Sequence, residues 1–272
     1  MRSFVQEATP KAAADPRGPI ESLVAQIVIP KLAKDLRGAT SVPASPDPVR
    51  LLHVRAAELE TFVASLLAPS DRGATRTVAA FVAGGASVDD IASSLLAPAA
   101  RRLGARWADD TLDFAAVTSG MTRLHVLLHM MGRRFPAGGA LAGRRVLIAN
   151  NPGETHAFGP LMVAEHLRRA GWNSRFDPVA TTASLAREAG SGTLDALGLS
   201  CAAERYLGDL QTCIRAVRGA TRNRPICLLL GGNVFAGRPE LALRMGADAT
   251  ADDAAGALAA LQRFLPATAT AH

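Results

Sequence analysis

One histidine of this chain stands in a context suited to transition-metal chemistry. His156 follows Glu154 by two residues and precedes Gly159 by three, at a predicted strand-to-helix turn. A neutral imidazole is a good ligand for a transition metal, and a carboxylate two residues earlier can hold its other nitrogen in the required tautomer. Taken alone, such a histidine is more often a surface or helix-capping residue.

Ser200 and the pair Gly231–Gly232 follow the histidine loop further along the chain. Forty residues lie between Gly159 and Ser200, and twenty-eight lie between Ala202 and the pair Gly231–Gly232. A serine hydroxyl can donate and accept hydrogen bonds, and glycine admits a backbone or ligand where any side chain would clash. These types favour a ligand site built from three separate loops.

The elements that position these residues divide the chain into two parts. From Val49 to Met131 apolar residues recur at helical spacing, and Ser87 with Asp90 has the pattern of a capping box. This pattern predicts a four-helix bundle. The apolar face of the fourth predicted helix comprises Phe114, Val117, Met121, Leu124, Leu128 and Met131.

Beyond a segment rich in Pro and Gly at residues 133–144, short apolar strands alternate with helices. Such alternation predicts a parallel, doubly wound, flavodoxin-like α/β domain, and the motif positions follow its first, third and fourth strands, where ligands of such sheets bind. The predicted strands are Val146–Ala149, Trp172–Phe176, Ala196–Leu199 and Ile226–Leu230. The predicted helices lie near Leu161–Ala170, Thr182–Ala189, Leu207–Ala220, Leu241–Met245 and Asp253–Leu265.

The predicted domain limits follow from these patterns. Residues 1–48 are expected to hold a disordered segment, a short helix over Ile20–Leu36 and a Pro-rich linker. The helical bundle is assigned to residues 49–135 and the α/β domain to residues 143–268.

Composition restricts the function further. The 272 residues carry a net charge of +6, but the arginines occur in scattered pairs and aromatic residues make up only 4%, which argues against DNA binding by this chain alone.

The chain has no apolar run long enough to span a membrane and no signal peptide, so a cytoplasmic protein is expected. Three cysteines without Cys-x-x-Cys spacing are expected to be buried and apolar. No pair of catalytic base and nucleophile is visible, which argues against an enzyme.

The histidine loop, Ser200 and Gly231–Gly232 together resemble the signature of cobalamin-binding domains, which reads Asp-x-His-x-x-Gly, Ser-x-Leu and Gly-Gly. Glu154 replaces the Asp and Ala202 replaces the Leu. The resemblance implies that His156 coordinates cobalt from below and displaces the dimethylbenzimidazole of the cofactor. The candidate cofactor contacts in this domain are Glu154, Thr155, His156, Phe158, Gly159, Ser200, Ala202, Gly231, Gly232 and Asn233.

The resemblance also implies the path of the nucleotide tail, which runs beside the sheet past Gly231 and Gly232, with the Ser200 hydroxyl on the benzimidazole nitrogen. A branched side chain at either glycine is then expected to block the tail while the protein stays folded. Cobalamin is the expected cofactor, in its adenosyl, methyl or hydroxo form, and haem is a second possibility.

The helical part resembles the cap of methionine synthase and of CarH-type light-sensing regulators, which covers the upper face of the corrin. In those regulators a Trp and a Glu-His pair lie over cobalt. Here Trp107 is present, but Val117 and Thr118 occupy the positions of the Glu and the His. Trp107, Val117, Thr118 and Met121 are therefore the candidate contacts of the cap. Trp107 is equally suited to the bundle core, and His125 and His129 are expected to be ordinary side chains, as are His53 and His166 at the surface.

The chain as a whole resembles the PpaA/AerR group of regulators, at residues 29–32, 106–110, 117–118 and 156–165. This resemblance implies a light-responsive antirepressor that acts on a PpsR/CrtJ-type repressor of photosynthesis genes. Light would change the upper ligand of cobalt, and the cap would repack. Two alternatives remain: a corrinoid methyl-carrier protein of a methyltransferase system, and an interaction domain without a cofactor.

Overall fold

The computed structural model describes residues 53–132, 143–223 and 225–265. The predicted helix at Ile20–Leu36 and the linker before Val49 lie outside these residues. Helices occupy the first range, and alternating strands and helices occupy the others. The two-part α/β architecture expected from the periodicities is therefore confirmed.

Within residues 53–132, four helices joined by short turns form the bundle. Ser87 begins the third helix as predicted, because its hydroxyl accepts a hydrogen bond from the Asp90 N–H at 3.0 Å while the Asp90 carboxylate accepts from the Ser87 N–H. The helices are α1 (Ala56–Leu67), α2 (Arg72–Ala83), α3 (Val88–Ile91, a π-helical turn over Ala92–Leu96, then Ala97–Ala108) and α4 (Phe114–Gly132).

The second part is a five-stranded parallel sheet covered by helices on both faces. The strand order is β2-β1-β3-β4-β5, which is the flavodoxin-like order with its switch point between β1 and β3. The strands are β1 (Arg145–Asn150), β2 (Asn173–Asp177), β3 (Ala196–Ser200), β4 (Cys227–Gly231) and β5 (Ala249–Ala251). The helices are α5 (Phe158–Arg169), α6 (Thr182–Gly190), α7 (Leu207–Ala220), α8 (Pro239–Arg244) and α9 (Ala254–Phe264).

Alternate residues of the strands build two separate cores. Leu147 and Leu199 point into the core formed with α6, α7 and α8, whereas Val146, Ile148 and Leu229 point into the core formed with α5 and α9. All three cysteines are buried in these cores, as expected. Both faces of the central strands are therefore covered by helices.

The structure differs from the predicted elements most clearly at the start of α5 and in an additional strand. Helix α5 begins at Phe158, three residues before the expected start, because Pro160 is tolerated in a first helical turn where no N–H partner is needed. Strand β5 was not predicted, since its three residues, Ala249–Ala251, are too short and too weakly apolar for a periodicity. The edge strand is instead set by pairing with β4.

An ionic cluster joins α3 of the bundle to α5 of the sheet domain. His166 Nδ1 lies 2.7 Å from Asp89 Oδ1, and the Arg169 Nε donates to the same oxygen at 3.1 Å. Burial by itself would raise the pKa of Asp89, but the hydrogen bonds from His166 and Arg169 outweigh it and lower that pKa to about 2. The expectation that His166 is a surface residue without a partner is therefore wrong, because its partner is distant in the chain.

A tight approach between the loops after β3 and β4 requires glycine at position 232. Gly232 has a φ of +99°, and a Cβ built there would lie 2.3 Å from the carbonyl oxygen of Cys201. The expectation that a side chain at Gly232 leaves the fold intact is therefore wrong. The glycine is needed by the backbone before any ligand is considered.

We predict that Gly232→Ala lowers the free energy of unfolding by about 1–3 kcal/mol, because it combines a strained φ with a backbone clash. Gly219→Ala is the matched control, since Gly219 lies on α7 with open space around its missing Cβ. Thermal and denaturant unfolding followed by circular dichroism would measure both. Equal stability of the two variants would contradict the assignment.

Candidate corrinoid-binding site

The loop between β1 and α5 carries His156 at the carboxyl end of the sheet. A turn closes the loop, with the Glu154 N–H bonded to the Asn151 carbonyl at 3.0 Å and Gly153 at a φ of +84°. This turn directs the Glu154 carboxylate back toward the imidazole. His156 Nδ1 lies 2.8 Å from Glu154 Oε1, and the His156 side chain remains 52% exposed.

The Glu154 side chain is fully buried at this edge of the sheet and is shared between two loops. Its two carboxylate oxygens lie 3.1 and 3.0 Å from the Ala202 N–H, which follows β3. Glutamate thus takes the place of the shorter aspartate and still reaches the imidazole. Because Ala202 contributes through its backbone, its departure from leucine leaves this hydrogen bond intact.

The carboxylate determines which histidine nitrogen is available to a ligand. An ionised carboxylate only accepts hydrogen bonds, so Nδ1 of His156 is the donor in this pair, and in the neutral ring Nε2 is then the nitrogen with a free lone pair. The neighbouring thiol does not compete as a metal ligand: burial, and to a lesser extent the Glu154 carboxylate, raise the pKa of Cys201 to about 11. The loop therefore presents one exposed, oriented imidazole nitrogen.

A cavity of about 590 Å³ lies between the sheet, α5, α9 and the bundle helix α3, and its wall includes Gly159 but neither His156 nor Glu154. Gly159, Ser200, Gly231 and Gly232 all line it, so the structure brings together these predicted positions from three loops. A Cβ at Gly159 would meet no atom within 4 Å, which means that this glycine leaves room in the cavity and is not required by packing. The π-helical turn Ala92–Leu96 contributes Ala92 and Ser93 to the wall.

The remaining predicted contacts in the domain lie elsewhere. Thr155 lines a second groove of about 470 Å³, which continues to the β2–α6 loop at the exposed Val179. Sequence reasoning missed this loop because no motif marks it. Phe158 packs into the bundle core, and the exposed Asn233 is not part of either cavity wall.

The predicted cap positions form a partly exposed face of the bundle. Trp107 is 51% exposed at the end of α3, so its alternative assignment to the bundle core is wrong. Phe114, which sequence reasoning treated as core, is 75% exposed at the start of α4. Val117 and Met121 pack partly against the bundle core, and Thr118 is exposed.

The two bundle histidines differ in their surroundings. His125 Nδ1 lies 2.8 Å from the Met121 carbonyl, and its ring meets Phe158 edge-on with centroids 5.2 Å apart. His129 is exposed. Within residues 53–132, 143–223 and 225–265, no group of three or more His, Cys, Asp or Glu side chains is placed to hold a metal ion. None of the helices in those ranges is both long and apolar enough to cross a membrane.

Comparison with known proteins agrees with this geometry. Residues 144–262 match the B12 binding domain. The chain is 30% identical over 168 residues to an uncharacterized 20.5 kDa protein in the bchF–crtJ intergenic region of Rhodobacter capsulatus, covering 61% of this chain and 87% of the relative.

A solved structure shares the fold. It is the monomethylamine corrinoid protein of Methanosarcina barkeri, with a TM-score of 0.62 and 17% identity, over 74% of this chain and 96% of that one. A corrinoid brings four nitrogen ligands with its cobalt and carries a nucleotide tail, which suits an exposed imidazole followed three residues later by a glycine that lines a cavity of about 590 Å³. The chain thus has a cobalamin-binding domain and belongs to the family that includes the 20.5 kDa protein of Rhodobacter capsulatus.

Proposed function

We propose that this protein is a cobalamin-binding, light-responsive regulator that acts as an antirepressor on a PpsR/CrtJ-type repressor of photosynthesis genes. The observation that carries the cofactor assignment is the exposed imidazole of His156, which a buried carboxylate holds three residues before Gly159, a residue that lines the 590 Å³ cavity. A haem has no tail to fill that cavity, so its shape favours cobalamin.

The residues of this chain have distinct parts in the proposal. His156 Nε2 would be the lower ligand of cobalt, and Glu154 would hold the ring proton on Nδ1, so that the neutral ring presents Nε2 to the metal. Gly159, Ser200 and Gly231 would line the space for the nucleotide tail. Cobalamin would supply a cobalt centre whose upper ligand changes with light, and the exposed face around Trp107 and Phe114 would lie against that ligand.

The choice between regulator and methyl carrier rests on the relatives of the chain and not on the cofactor site. The family relative is encoded in the bchF–crtJ region, and crtJ names the type of repressor that the proposed regulator would bind. Likeness to the monomethylamine corrinoid protein, at 17% identity, concerns the fold only. The methyl carrier is therefore the second candidate, and binding to a repressor distinguishes the two.

We predict that His156→Ala weakens cobalamin binding by well over tenfold, because the variant loses the lower axial bond. Residual cofactor would show the visible spectrum of a base-on or water-ligated form. His129→Ala is the control, since His129 is exposed on α4 away from the loop. An unchanged spectrum and affinity in His156→Ala would remove His156 as the ligand.

Gly159→Leu should fill the tail cavity without disturbing the fold, because the missing Cβ has open space around it. We expect cobalamin affinity to fall by about tenfold or more, as expected for overpacking a binding cavity. Cobinamide, which lacks the nucleotide tail, should bind nearly as well as to wild type. Gly219→Leu is the matched control, and loss of both ligands in Gly159→Leu would indicate misfolding instead of a blocked tail.

The regulatory step is tested with the cobalamin-loaded protein and a PpsR/CrtJ-type repressor. Their affinity is measured in darkness and after illumination, for wild type and for Trp107→Ala. We expect light to change the affinity of wild type, and Trp107→Ala to bind cofactor through His156 but to respond less. If wild type binds no such repressor in either state, the antirepressor assignment fails and the methyl carrier becomes the better proposal.

A further inference from the structure

We propose that Phe158 is a positioning residue that couples the cobalt-ligating loop to the helical bundle. The proposal rests on the assignment of His156 as the lower ligand. It adds a physical route by which the state of the cobalt–imidazole bond and the packing of the bundle would influence each other.

Phe158 belongs to the sheet domain by sequence but to the bundle by packing. It is the first residue of α5 and stands two residues after His156. Its side chain is only 6% exposed and lies in the hydrophobic core of the bundle. Its ring meets His125 of α4 at an interplanar angle of 76°, the edge-to-face geometry that aromatic rings prefer.

His156 therefore lies between two anchors that belong to different parts of the protein. On one side, the Glu154 carboxylate is held by the Ala202 N–H of the sheet domain. On the other side, Phe158 is held by the bundle core. One residue separates His156 from each anchor, Thr155 and Ala157, and a residue spans at most about 3.6 Å. A bundle shift of a few ångströms must then move His156 or withdraw Phe158.

The remainder of α5 gives the loop no freedom to absorb such a shift. Near the far end of the helix, His166 and Arg169 bind Asp89 of α3, so α5 is held to the bundle there too. Glu165 is also close to this cluster, at 3.9 Å from the Arg169 Nη1. Both ends of α5 are thus attached to the bundle, while Ala164 and Leu167 between them pack in the sheet core and Glu154 is held by the loop after β3.

The contact on the bundle side continues toward the predicted cap positions. His125 is followed toward the start of α4 by Met121 and Val117, each one turn apart on the same face. The Nδ1 of His125 is bonded to the Met121 carbonyl, which holds the ring against Phe158. A change at the cap positions would therefore reach Phe158 through one helix face, and by linkage a change at His156 would affect that face equally.

The test compares Phe158→Leu with Phe62→Leu in the full chain loaded with cobalamin. Phe62 is equally buried in the same core, but it lies on α1 and has no part in the ligand loop. We expect both variants to melt a few degrees lower, by about 2–4 °C per kcal/mol lost for a chain of this size. Only Phe158→Leu should reduce the ratio of imidazole-ligated to unligated cobalt, by about threefold to tenfold. The ratio is read from the visible spectrum and from the Co(II) electron paramagnetic resonance signal of protein labelled with ¹⁵N-histidine, in which the nitrogen splitting changes only where the histidine is the ligand.

A second pair of variants keeps the proposal testable if Phe158→Leu does not fold. His125→Ala removes the ring partner and should lower the ligated fraction, whereas His125→Phe retains an aromatic ring and should restore it. An unchanged ligated fraction in both Phe158→Leu and His125→Ala would overturn the proposal while leaving His156 as the ligand. A loss of cobalt ligation in Phe158→Leu that is no larger than the loss in Phe62→Leu would also overturn the proposal. Absence of an imidazole signal in wild type would overturn the ligand assignment itself, and this proposal with it.

Discussion

A single buried carboxylate organises the site. Glu154 accepts from the Ala202 N–H with both oxygens and from His156 Nδ1 with one, so it joins the loops after β1 and β3 and orients the imidazole. Burying a charge is costly unless hydrogen bonds compensate it, and these bonds meet that requirement. The direction of the exposed nitrogen, and hence any ligation to a metal, depends on this arrangement.

Helix α5 connects the His156 loop to the bundle and to the sheet. Its first residue, Phe158, enters the bundle core, its inner face packs on the sheet, and His166 binds Asp89 of α3. The cavity lies between these same elements. The ligand loop, the cavity wall and the bundle therefore share one rigid element, which makes independent movement of the two parts costly because packed interiors transmit strain.

The fold alone does not decide between regulator and carrier. A monomethylamine corrinoid protein has a similar fold at 17% identity, and function resides in the site and surface of each protein. The distinctive surface here is the face that exposes Trp107 and Phe114. Large aromatic side chains in water cost free energy that contact with a ligand or a partner would recover.

The sequence by itself determined the order of elements and the place of the ligand loop. Helical and strand periodicities are local, and the spacing from His156 to Ser200 and Gly231 brings these residues to adjacent strand ends of a parallel sheet. Only the tertiary structure decided that Phe158 packs into the bundle and that Trp107 is exposed. Periodicity shows which residues share a face, but what covers that face depends on residues far away in the chain.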